Sequence, residues 1–168
     1  MTGGGGLADH LRTLDQIHHP QTKVMHELAI ETMALNARLL ASLEPAFESV
    51  TRWRDLKKCG RGCFLWIPDA RLAADHLPHG WEVTSDSIAL SFADFLGSSG
   101  MMLVKSVDSV GCLSAQKLAQ EGIIDDFFPQ LARRSRCSAY IMLRHEWSTL
   151  GQAIGDPRSL ESRRIYVV

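Results

Sequence analysis

The chain has 168 residues, 45% of them apolar, with 18 Lys and Arg against 19 Asp and Glu and a formal net charge of −1. That length and apolar fraction can bury a core without disulfide or metal staples, and they exclude general disorder. No apolar run approaches the ~18 residues of a membrane-spanning helix, and the balanced charge lacks the basic excess by which nucleic-acid binders neutralise phosphate. The first residues show no basic segment followed by an apolar one, so the expected location is the cytoplasm, where the four cysteines remain thiols.

Met1 to Gly6 (MTGGGG) reads as a flexible tail, and residues 7–168 as one α+β domain, helical over 7–58 and sheet-containing over 63–168. Leu7, Leu11, Leu14 and Ile17 share a helical face, which His18-His19-Pro20 interrupts. Gln21 to Glu44 is the longest periodic segment and carries two apolar seams. One holds Met25, Leu28, Leu35, Leu39 and Leu43; the other holds Ile30, Met33, Ala37 and Leu40. A helix apolar on two faces must be covered on both, by its own domain or by a partner such as a second copy.

Pro45 is placed to open another helix, with Phe47, Val50, Trp53 and Leu56 on one face. Phe64 to Ile67 reads as a buried strand stopped by Pro68, and Asp69 as the cap of a brief helix through His76. Ser85 to Gly97 fits both periods; its polar stripe of Ser87, Ser91 and Asp94 favours a helix. A strand over Met101–Val110 follows, then a helix over Ser114–Glu121 stopped by Gly122. Ile123–Arg134 is partly helical around Pro129, Ser138–Leu143 is a strand, and Ile165–Val168 is a terminal strand. Two to three N-terminal helices followed by strands with interspersed helices predict an α+β fold with a small mixed or antiparallel sheet.

Four residues have a metal-like spacing: Cys59-x3-Cys63-x12-His76-x2-His79. Structural zinc takes four N or S ligands in a tetrahedron. The stretch resembles a C2H2 zinc finger over its first two intervals and departs at the last, where Pro78 separates the histidines. The resemblance implies a structural zinc held by these four side chains, without base-reading capacity. Met25 to Ile30 (MHELAI) resembles the opening motif of the HypA-type nickel chaperones. That motif begins the chain there and is followed by paired C-x-x-C zinc motifs, which this sequence lacks.

Cys112 sits between an expected strand and an expected helix, where free N–H groups stabilise a thiolate. His145 as base and Glu146 as its orienter would complete a nucleophilic set. The histidines His10, His18, His19 and His26 are expected to be solvated. Two basic clusters remain, Arg52, Arg54, Lys57, Lys58 and Arg61, then Arg133, Arg134 and Arg136, facing an acidic stretch over 86–126. Such segregation suits a charged partner or self-association. No phosphate-binding, dinucleotide, zincin, hydrolase-elbow or EF-hand motif occurs, and Gly97 to Gly100 is expected to be only a tight connection.

The expected function is therefore a non-enzymatic binding protein, an adaptor, chaperone or regulator, with a homodimer through its N-terminal helices and no membrane or nucleic-acid partner. Two alternatives stand beside it: a cysteine-dependent hydrolase or acyl transferase using Cys112 and His145, and a zinc-stabilised binding module.

Overall fold

The computed structural model describes residues 1–70, 76–151 and 157–167. The chain forms two compact units, Met1–Ile88 and Ala89–Val168, with the boundary inside a helix.

The first unit begins with α1 (Gly5–His18) and α2 (Thr22–Leu43). His19 ends α1 in the left-handed region, φ 47°, with its N–H on the Asp15 carbonyl at 2.9 Å, and Pro20 prevents continuation. α2 buries Met25, Ile30, Met33, Ala34 and Ala37. The glycine run expected to be a flexible tail is bonded to α2. The Thr2 hydroxyl donates to the Met33 carbonyl (2.8 Å), and the Asn36 amide donates to the carbonyls of Gly3 (2.8 Å) and Gly4 (3.0 Å).

The helix expected after Pro45 is replaced by β1 (Glu48–Val50) and the single turn α3 (Trp53–Leu56). The three-residue spacing of Phe47, Val50, Trp53 and Leu56 suggested a helix, but Val50 is claimed by a partner outside that window. β1 pairs in parallel with β2 (Phe64–Trp66), Glu48 opposite Phe64 and Val50 opposite Trp66. Burial of Leu65 and Trp66, and a bond from the Trp66 indole N–H to the Thr51 carbonyl (3.2 Å), fix this pair in place. The brief helix expected from Asp69 to His76 falls largely on residues 71–75, outside the described residues. The unit closes with the first turn of α4 (Ser85–Leu96), the ambiguous segment, which is helical.

The second unit holds the rest of α4, β3 (Gly100–Lys105), α5 (Ala115–Gln120), α6 (Phe128–Ala132) and β4 (Ser138–Leu143), followed by 3-10 helices over Arg144–Thr149 and Pro157–Arg163. β3 and β4 run parallel, from Gly100 opposite Ser138 to Lys105 opposite Leu143. Gly97 and Gly122, with φ of 70° and 67°, end α4 and follow α5 as the sequence anticipates. The core gathers Leu90, Leu103, Leu118, Ile124, Phe128, Ala139 and Ile141. The expected terminal strand is reduced to isolated bridges. Ile165 N–H bonds the Ala139 carbonyl (2.8 Å) and Tyr166 N–H bonds that of Leu113 (3.0 Å). Val168 is outside the described residues.

Among the described residues both strand pairs are parallel, which corrects the expected α+β arrangement with a mixed or antiparallel sheet. Parallel neighbours need long crossovers, so helices alternate with strands along the chain and are not confined to its N-terminal part. Among the described residues no helix is long and apolar enough to cross a membrane.

Phe128 is fully buried, so Phe128→Ala should cost about 3–5 kcal/mol of unfolding free energy by urea titration. The exposed Gln120→Ala should stay within about 0.5 kcal/mol.

Candidate anion-binding site

A cavity of about 230 Å³ opens in the first unit, lined by the Gly3–Gly5 turn, Arg12 of α1, His26 of α2, Gly80 and Trp81, and Thr84 and Ser85 at the start of α4. Each wall has a local cause. Gly5 has φ 53°, a left-handed backbone that side chains resist. A Cβ on Gly4 would lie 2.7 Å from both the Ala8 Cβ and the Thr32 hydroxyl oxygen, so only glycine lets this turn approach α2 so closely. Among the described residues no side chain caps α1, and its first N–H groups have no intrahelical acceptor. α4 also begins at this cavity, with the Ile88 N–H on the Thr84 carbonyl at 3.1 Å. Two helix N-termini therefore border one space, each carrying a partial positive charge.

Arg12 adds a full charge. Its guanidinium meets Asp9 at 2.8 Å and lies over the Trp81 ring, 4.8 Å from the centroid. The Trp81 indole N–H donates to Asp15 at 2.7 Å. Asp9, Arg12 and Asp15 recur at helical spacing, so α1 holds Trp81 against the cavity by a stacked cation and a carboxylate.

His26 is 6% exposed. Its Nδ1 faces the Gly80 carbonyl at 3.3 Å, and its ring stacks on His79 with centroids 5.1 Å apart. A carbonyl accepts only, so Nδ1 carries the proton and Nε2 presents a lone pair. That buried Nε2 has no hydrogen-bond partner among the described residues. Burial lowers the His26 pKa from its ordinary 6.5, with His79 acting in the same direction and the Gly80 bond opposing. The ring is neutral at pH 7, an acceptor in search of a donor.

None of these residues was singled out from sequence as an anion site. The glycine run immediately before a periodic helix is the available signal, although its composition alone suits a flexible tail. His26 was seen only within a solvated histidine set and within the nickel-chaperone resemblance.

The sequence-derived candidates lie elsewhere. Among the described residues, which include Cys59, Cys63, His76 and His79, no three His, Cys, Asp or Glu side chains are placed to hold a metal. Cys59 bonds the Asp55 carbonyl through its thiol (3.4 Å), and His79 is stacked on His26. This corrects the zinc expectation, since Cys59, Cys63, His76 and His79 do not form a metal-holding cluster among the described residues. Cys112 is hydrogen-bonded to the Tyr166 hydroxyl at 3.1 Å. Tyr166 first, then the Ser114 backbone, lower the thiol's pKa, with Lys117 assisting and partial burial and Glu121 opposing; His145 is not among these influences. Glu146 accepts from Arg163 and from the Leu143 N–H, which hold its carboxyl below the usual range. Cys112 thus pairs with Tyr166 and Glu146 with Arg163 and Leu143, while the charge of His145 is felt at Glu146.

The basic clusters belong to different units. Arg52, Arg54, Lys57, Lys58 and Arg61 are exposed around α3, with Arg54 over Trp53 (5.3 Å) and Lys58 near Asp55 (3.4 Å). Arg133, Arg134 and Arg136 are exposed after α6. Gly97 to Gly100 is the tight entry into β3, closed by Ser98 donating to the Gly100 carbonyl at 2.7 Å.

No family model matches the chain. Its fold does have a counterpart among kinases. The crystal structure of uridylate kinase from Archaeoglobus fulgidus superposes with a TM-score of 0.65 at 18% identity, covering 92% of this chain and 79% of that one. In sequence the chain is similar to the [5-(aminomethyl)furan-3-yl]methyl phosphate kinase of Methanocaldococcus jannaschii, 22% identical over 154 residues, which span 84% of this chain and 71% of the relative. The structural likeness confirms an α/β fold with parallel strands flanked by helices, against the α+β expectation. Both likenesses are to enzymes, and they overturn the expected non-enzymatic adaptor, chaperone or regulator.

His26 gives a prediction with a definite sign. Because its pKa is lowered on folding, the unfolded chain takes up this proton first as pH falls. Above about pH 6.5 the ring is neutral in both states and contributes no pH dependence; below that value stability falls until the folded ring protonates. Melting temperatures across this range should show a shallower acid decline in His26→Gln than in the parent.

Proposed function

We propose that the chain is a phosphotransferase acting on a small molecule that already carries a phosphate, and that the cavity at the Gly3–Gly5 turn receives that phosphate. One observation carries the reading. Two uncapped or cavity-facing helix starts, Arg12 and His26 all border the same space, and the buried Nε2 of His26 has no partner among the described residues. Free backbone N–H groups at a helix start suit phosphate oxygens, and Arg adds a forked charge-assisted contact. Phosphate would compete with Asp9 for Arg12, while the His26 lone pair would accept from a substrate hydroxyl or a protonated phosphate oxygen. Trp81 offers a flat apolar wall for a ring.

The similar proteins support this chemistry. One is named for a methyl phosphate compound and the other for uridylate, a phosphate ester, so in both the acceptor named is anionic. The phosphoryl donor is a co-substrate. We place the protein in the cytoplasm, in keeping with its four unpaired thiols.

The test combines binding and turnover. Inorganic phosphate and a panel of phosphomonoesters should quench Trp81 fluorescence, with the signal lost in Trp81→Phe. Arg12→Ala should weaken binding about tenfold, as expected for loss of one charge-assisted contact. Incubation with a nucleoside triphosphate and the binding esters should release nucleoside diphosphate, and Gly4→Ala should abolish it. Binding that ignores both Arg12→Ala and Gly4→Ala would displace the anion site from this cavity, and no turnover with any binding ester would sink the phosphotransferase.

A further inference from the structure

The side of α2 turned away from its core is apolar. Val24, Leu28, Leu35, Leu39 and Leu43 are 42, 36, 52, 59 and 71% exposed, whereas Ile30, Met33 and Ala37 are at most 3% exposed. At about 100° per residue the exposed five fall in one stripe, opposite the buried three, and at 1.5 Å per residue they extend along about 28 Å of helix. Leu7, Leu14 and Ile17 of α1 are exposed as well. Monomers seldom leave an apolar stripe of this length open; it marks a contact surface.

The charges beside the stripe select its occupant. Glu31 and Arg38 are both exposed and lie along the same edge, four residues before and three residues after Leu35. A two-fold axis across the helix at Leu35 makes two α2 helices antiparallel and keeps each edge on its own side. Glu31 of one copy then stands beside Arg38 of the other, and the second copy repeats the pair. A parallel pairing moves the two residues to opposite edges. Complementarity of the stripe with itself, in apolar pattern and in charge, is the signature of an isologous contact.

We propose that the chain forms an antiparallel homodimer through the exposed stripe of α2, centred on Leu35 and framed by reciprocal Glu31–Arg38 pairs.

Light scattering on the full chain, over a wide concentration range, should give twice the 18.6 kDa chain mass. Leu35→Glu should give the single-chain mass with an unchanged far-UV circular dichroism spectrum, since this side chain is half exposed. Glu31→Arg and Arg38→Glu should each raise the dissociation constant about tenfold, from two lost pairs and two new repulsions. The double reversal should restore dimerisation. A strictly monomeric parent chain would overturn the proposal. So would a dimer that survives Leu35→Glu, or a double reversal no better than the single ones. Both charge variants alter only exposed side chains and keep the test decisive should Leu35→Glu fail to fold.

Discussion

Two parallel strands cannot be joined by a hairpin, because the chain must return to the starting end before the second strand begins. That constraint shapes both units. Between β1 and β2 the return is short and uses the single turn α3 with the Cys59–Cys63 loop. Between β3 and β4 it is long and carries α5 and α6, whose Leu118 and Phe128 fill the core beside the strands. Helices therefore intervene between the strands of each parallel pair.

The cavity depends on the same economy of backbone contacts in its own unit. α1 begins against α2, held by Asn36 on two glycine carbonyls and by Thr2 on Met33. Its outward face then carries Asp9, Arg12 and Asp15 to Trp81, while α2 supplies His26. The histidine is the telling element. A buried acceptor left without a donor costs roughly 1–3 kcal/mol.

Much of the secondary structure could be read from local pattern. β4 is legible residue for residue because SAYIML is a short, largely apolar run of strand length, and α5 because Gly122 stops it. α4 was decided by its polar stripe. β1 was missed because Phe47, Val50, Trp53 and Leu56 imitate a helix, while the partner that makes β1 a strand lies beyond Cys63. Strand direction was illegible for a related reason: an apolar run has the same pattern whichever way its neighbour points. The site was harder still. Arg12, His26 and Trp81 are far apart in sequence and meet through tertiary packing, whereas the spaced cysteines and histidines form no metal-holding cluster among the described residues. The sequence shows the two seams of α2, and the structure buries Ile30, Met33 and Ala37 of one together with Met25 of the other, while Leu28, Leu35, Leu39 and Leu43 stay open.

The glycine run, the lowest-complexity stretch of the chain, is not uniform in what it encodes. At Gly4 the obstacle to any other residue is occupied space; at Gly5 it is a backbone angle; at Gly6 none of the described residues stands within 4 Å and φ is not in the left-handed region. Four identical letters thus carry unequal information. Sequence drift across this stretch should be graded, free at its last position and closed one and two positions earlier, so that a run easily dismissed as filler would preserve a record of the turn's geometry.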